Sequence, residues 1–160
     1  MRKVNAADVP ELAWSSPNGT MAGYGKQISE GLGRKPQSTD LLERHPFDIE
    51  LLRIPPGKAP YPYHAHSAQW ECYIVISGSG KARHEGGEVR LAGGDTVLFW
   101  PREPHQLIND GNEDWLLYVI ADNPIGESHW YPDSGKVGLG MPERVNLPLS
   151  AREDYFAREE

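Results

Sequence analysis

From residue 47 onward the chain alternates apolar and polar positions with a period of two. The first such run is Phe47-Asp48-Ile49-Glu50-Leu51-Leu52-Arg53-Ile54, ended by Pro55-Pro56-Gly57. Alternation places successive side chains on opposite faces, so the run predicts a half-buried strand. Glu71-Cys72-Tyr73-Ile74-Val75-Ile76 is rich in β-branched and aromatic residues and stops at Ser77-Gly78-Ser79-Gly80. Gly86-Gly87, between Ala82-Arg83-His84-Glu85 and Glu88-Val89-Arg90-Leu91, predicts a tight hairpin. Gly93-Gly94-Asp95 turns the chain into Thr96-Val97-Leu98-Phe99-Trp100, and Asp110-Gly111-Asn112 turns it into Trp115-Leu116-Leu117-Tyr118-Val119-Ile120. Short strands at this spacing predict a sandwich or barrel over about 47–121.

The flanks read differently. Pro17-Asn18-Gly19, Gly23-Tyr24-Gly25 and Gly31-Leu32-Gly33 break up residues 1–46, so an irregular arm is expected there. Trp14, Tyr24, Ile28 and Leu32 are residues that dock such an arm on a core or a partner subunit. Residues 122–160 turn to Gly, Pro and polar residues and predict a second arm. Its segment His129-Trp130-Tyr131-Pro132-Asp133 is too aromatic for a linker. A helical turn from Ser150 to Arg158 is expected, with Ser150 and Glu153 forming a capping box. One domain over 1–160 suits this length.

Charge and cysteine content narrow the partners. The net charge is −7, which disfavours nucleic acid. No apolar run approaches the roughly 20 residues of a membrane span, and the N-terminus has no secretory apolar region. Cys72 is the only cysteine, so no internal disulfide can form. A cytoplasmic protein is expected.

The chemistry concentrates between Tyr63 and Glu71, with one further donor downstream. His64 and His66 share strand parity, Glu71 comes five residues later, and His105 lies beyond the Gly94-Asp95 turn. Three imidazoles and one carboxylate suit one divalent ion: Zn, Fe, Mn or Ni. Tyr73 and Gln69 share the parity of Glu71, so both are expected to line the pocket. Cys72 is expected to face away. Asn109 is expected to serve the turn at Asp110-Gly111, and His129 could cap the pocket from the tail.

These residues resemble the cupin superfamily. Gly57, His64, His66, Glu71 and Gly78 match its first motif, and Gly94, Asp95, Pro101, Pro104, His105 and Asn109 match its second. Arg102 stands where that second motif usually has glycine. The arms and Tyr131-Pro132-Asp133 resemble a small bacterial subfamily labelled sugar-phosphate-isomerase-like. The resemblance implies an all-β, double-stranded β-helix (jelly-roll) barrel with irregular arms at both ends and a metal on His64, His66, Glu71 and His105. It also implies a homodimer. Arg102, or Arg53, could meet an anionic small-molecule ligand. Three functions stay open: a metalloenzyme of isomerase, lyase or dioxygenase type, a non-catalytic ligand binder, and a metal-free structural barrel.

Overall fold

A computed structural model describes residues 1–36, 38–140, 145–153 and 157. In chain order its strands are β1 (Leu12–Ser15), β2 (Ala22–Gln27), β3 (Phe47–Ile54), β4 (Ala65–His66), β5 (Glu71–Ser77), β6 (Ser79–His84) and β7 (Gly87–Ala92). There follow β8 (Thr96–Phe99), β9 (His105–Ile108), β10 (Trp115–Asp122), β11 (Ser128–Tyr131), β12 (Lys136–Leu139) and β13 (Val145–Pro148). Two single-turn helices, α1 (Ile28–Gly31) and α2 (Leu41–Arg44), separate β2 from β3.

The strands form a jelly-roll barrel. One sheet has the order β1-β2-β3-β10-β5-β8, a second β13-β12-β11-β4, and a third β7-β6-β9. Inside, Leu52, Ile54, Tyr73, Val75, Ala82, Phe99, Leu107, Trp115 and Leu117 pack as one core cluster. The alternation of β3 places Leu52 and Ile54 there. Arg53 therefore points outward, where it pairs with Glu11 (2.7 Å) and Asp114 (3.0 Å) and lies over the Tyr24 ring. It is not an inward anion-binding group, contrary to the expectation from sequence. No helix among the described residues is long and apolar enough to cross a membrane.

Both arms carry more regular structure than their punctuation predicts. In the N-terminal arm β1 and β2 extend the large sheet beyond β3. Trp14 packs against the core and donates its indole N–H to the Pro60 carbonyl (2.9 Å) while stacking on Tyr61 at 5.4 Å. Gly25 is required on β2, because a β-carbon there would overlap the Glu50 carboxylate. In the C-terminal arm β11 pairs with β4, setting His129 opposite His66. Asp133 fastens this arm to β6 through two hydrogen bonds from Arg83, at 2.7 and 2.8 Å. Leu149–Ala151 form a 3₁₀ turn that ends at an extended Arg152, so the expected helix does not continue there. The rest of that segment, 154–156 and 158, lies outside the described residues.

Two turns differ in detail from expectation. The β6–β7 hairpin pairs His84 with Gly87, so its loop is Glu85-Gly86, one residue earlier than predicted. Asn109 does more than open a turn. It is fully buried, donates to the Ile54 carbonyl (2.7 Å) and the Glu113 carbonyl (2.8 Å), and accepts from Gly111 N–H (3.0 Å). Its backbone also bonds Gly57 and Lys58, at 2.8 Å each. One side chain thus ties the end of β3 to the turn at 109–113, and with its hydrogen bonds satisfied an uncharged amide is accommodated in the core.

Candidate metal centre

His64 directly precedes β4, His66 ends it, and Glu71 and His105 open β5 and β9. His64 and His105 bridge each other through both backbone bonds, N–H to carbonyl at 3.1 and 2.8 Å. The Phe99 ring stacks flat on His105 at 4.0 Å and fixes its plane. His64, His66 and His105 are all buried. One ligand atom from each of His64, His66, Glu71 and His105 falls within 4.8 Å of the others, so these four could hold a metal ion.

The hydrogen bonds set which nitrogen faces inward. His64 Nδ1 lies 2.8 Å from the Pro62 carbonyl, and His105 Nδ1 lies 3.0 Å from the Glu103 carbonyl. A carbonyl only accepts, so each Nδ1 carries the proton and each Nε2 keeps its lone pair. His64 Nε2 faces His66 Nε2 at 3.1 Å. His105 Nε2 is 2.8 Å and His66 Nε2 is 3.3 Å from Glu71 Oε2. Converging nitrogens and a carboxylate in a dry site need a proton or a cation between them. That donor set fits a borderline divalent ion.

The charge states agree with this picture. Burial pushes His64 down to about 3, against the pull of Glu71. Burial opposes charging of His66 too, but Glu127 and Glu71 outweigh it and raise His66 to about 9. Burial would raise Glu71, yet His105 and His66 hold it well below the ordinary carboxylate range.

His64, His66 and Glu71 line a cavity of about 200 Å³ together with Glu50, Tyr61, Tyr73, Val119, His129 and Tyr131. Tyr73 donates to Glu71 Oε2 at 2.9 Å. Glu50 is the residue that sequence reasoning missed, although β3 parity with Leu52 and Ile54 already turned it inward. Its carboxyl is raised to about 7 by burial, then by the charges of Asp48 and Glu71, while hydrogen bonds from Gln27 and Tyr61 oppose the shift. Its Oε1 is buried without a hydrogen-bond partner. Tyr61 is missed as well, since only its stacking on Trp14 brings it here.

The expected pocket residues separate. Tyr73 lines this cavity, whereas Gln69 and Arg102 do not. Gln69 precedes the start of β5, so strand parity does not extend to it. It donates to the Asp122 carbonyl and faces a neighbouring cavity of about 550 Å³ beside Arg34 and Arg44. Arg102 has φ 69°, the left-handed conformation that explains the motif's usual glycine. Its N–H clamps the His66 carbonyl (2.7 Å), and its exposed side chain lies along an outer groove with Ser128 and Trp130.

Comparison with known proteins places this geometry. Residues 50–121 match the family model described as a cupin domain. A crystal structure of a sugar phosphate isomerase from the cupin superfamily of Silicibacter pomeroyi superposes with a TM-score of 0.79 at 18% identity, over 95% of this chain and 96% of that one. A protein of Acidithiobacillus ferrooxidans provisionally given the same activity superposes with a TM-score of 0.78 at 23% identity, over 92% and 90%. These likenesses establish the fold. The oxalate-binding protein of Thermotoga maritima is 30% identical over 69 residues, which are 43% of this chain and 56% of that protein. The chain thus spans only about half the length of that curated relative.

Proposed function

We propose that this chain, whose residues 50–121 are a cupin domain, holds one divalent cation on His64, His66, Glu71 and His105 and acts with it on a small polar or acidic organic molecule. The observation that carries the reading is the convergence of these four donors on one point, three of them, His64, His66 and Glu71, lining a cavity whose wall also holds Glu50. Zn, Fe, Mn and Ni all accept such a donor set. A cation held there supplies Lewis-acid polarisation of a ligand oxygen.

The remaining residues favour proton transfer over oxygen insertion. Glu50, raised to about 7, can give or take a proton near neutral pH, and Tyr61 is hydrogen-bonded to it. None of the residues lining the cavity is Lys or Arg, so an acidic group on the ligand would meet the bound cation itself. A small hydroxy acid, hydroxy ketone or dicarboxylate, turned over by isomerase or lyase chemistry, fits that arrangement. A non-catalytic ligand binder is the second reading, favoured by the name of the Thermotoga maritima relative.

The experiment is deuterium exchange. Protein loaded with Zn, Fe, Mn or Ni is incubated in D₂O with a panel of small hydroxy acids and hydroxy ketones. We expect carbon-bound deuterium with wild type, at a rate that rises as pH passes through about 7, because the ionised carboxylate is the base. Glu50→Gln should lower the rate by about 10²–10⁴-fold with metal content unchanged. Stoichiometric oxalate binding with no exchange on any panel member would move the protein to the second reading. A protein that takes up no metal would defeat both.

The chain is also proposed to act as a homodimer. Trp70, Ile76, Leu98 and Trp100 are exposed around β8, the last strand of the large sheet. An apolar sheet edge of this kind is a hazard unless covered. Light scattering at micromolar concentration should return twice 17.9 kDa, and a single-chain mass would count against the pairing.

A further inference from the structure

Two of the three histidines have their Nδ1 proton taken by a backbone carbonyl, Pro62 for His64 and Glu103 for His105. His66 Nδ1 is buried and makes no hydrogen bond of good geometry as it stands. The Glu127 carboxylate faces it, with Oε1 3.4 Å away. The carboxylate is itself held by backbone, since Oε1 accepts from Ser67 N–H (2.7 Å) and Oε2 from Ala68 N–H (3.1 Å). Its side chain is only 13% exposed. The contact joins residues 61 positions apart, and the ladder between β4 and β11 fixes their register.

We propose that Glu127 is the positioning residue of His66, so that the C-terminal arm is part of the metal centre. The proposal rests on the metal reading of the four donors. A carboxylate on Nδ1–H holds the imidazole in the tautomer whose Nε2 lone pair faces Glu71 and His64. As a stronger acceptor than a carbonyl, it also makes Nε2 a better donor to a cation. Ser67 and Ala68 fix the carboxylate, so His66 is the group that adapts to Glu127.

Calorimetric titration of the metal-stripped full chain with Zn²⁺ and with Mn²⁺ tests this. Wild type should bind one ion, and Glu127→Gln should bind it about 10–100-fold more weakly. The amide oxygen of the Gln variant can still accept from Ser67 or Ala68, so its metal-free melting point should stay close to that of wild type. A purely structural Glu127 would leave the His66 tautomer alone, so ¹⁵N spectra of the imidazoles give an independent readout. In the metal-free protein, neutral His66 should carry its proton on Nδ1, and the Gln variant should lose that preference. Equal affinities, or His66 protonated on Nε2 in wild type, would overturn the assignment. So would two ions per wild-type chain and one in the variant, which would make His66, Glu127 and His129 a second cation site. Should wild type bind no metal at all, the metal reading fails, and the tautomer spectra still decide the role of Glu127.

Discussion

The His64→Ala, His66→Ala double variant will not retain a metal ion, whether isolated directly or after loading. Both imidazoles come from one short segment, and each presents Nε2 to the same point. Removing them leaves only Glu71 and His105, 2.8 Å apart, as donors. Structural zinc sites are worth about 10–16 kcal/mol, so losing half the donors costs on the order of 5–8 kcal/mol of binding. Protons compete at the same atoms. With His66 raised to about 9 in the metal-free protein, wild-type affinity should fall steadily as pH drops below that value. Elemental analysis after gel filtration reads the outcome. Full occupancy in the double variant would remove this site from consideration.

Trp115→Ala should cost about 3–5 kcal/mol of folding stability, the scale for emptying a large aromatic site in a core. Trp115 opens β10, has no exposed surface and belongs to the cluster around Leu52, Ile54 and Leu117. Gly80 lies against its indole, and a β-carbon there would overlap the ring. The neighbouring Gly78 has φ 78° and sits against the Asp114 backbone, so this corner cannot easily collapse into the space left. Small domains are stable by only about 5–15 kcal/mol, so the variant would be near the edge of folding. Urea unfolding should show a lower midpoint at an unchanged slope. A loss under about 1.5 kcal/mol would mean that the barrel repacks around the gap.

What the sequence made legible followed the strand period. Parity alone put His64 with His66 and Tyr73 with Glu71, because alternation is local and strict. The same rule was available for Glu50 and Arg53, and applying it to β3 would have turned Glu50 inward and Arg53 outward. Gln69 failed because parity holds only inside a strand, and β5 begins at Glu71. Arg102 failed because it lies in the turn between β8 and β9 at φ 69°, where strand alternation gives no direction for a side chain. Glu127 and Tyr61 were beyond any local rule. Their positions depend on which strands pair, β11 with β4 and the Trp14 arm with the Pro60 segment. The regularity of the arms was hidden for the same reason, since β1, β2 and β11 are short pieces that gain their order from the sheet they join.

The pairing of β4 with β11 has a consequence for how the protein comes into being. During synthesis His64, His66 and Glu71 leave the ribosome well before the strand that anchors β4 has been made. His105 and then residues 127–131 must follow before the donors are held in place. A cation met earlier finds loose ligands that compete with any other soft donor nearby. On the metal reading, acquisition is expected only in the finished chain, with the ion drawn from whatever pool surrounds an already folded pocket.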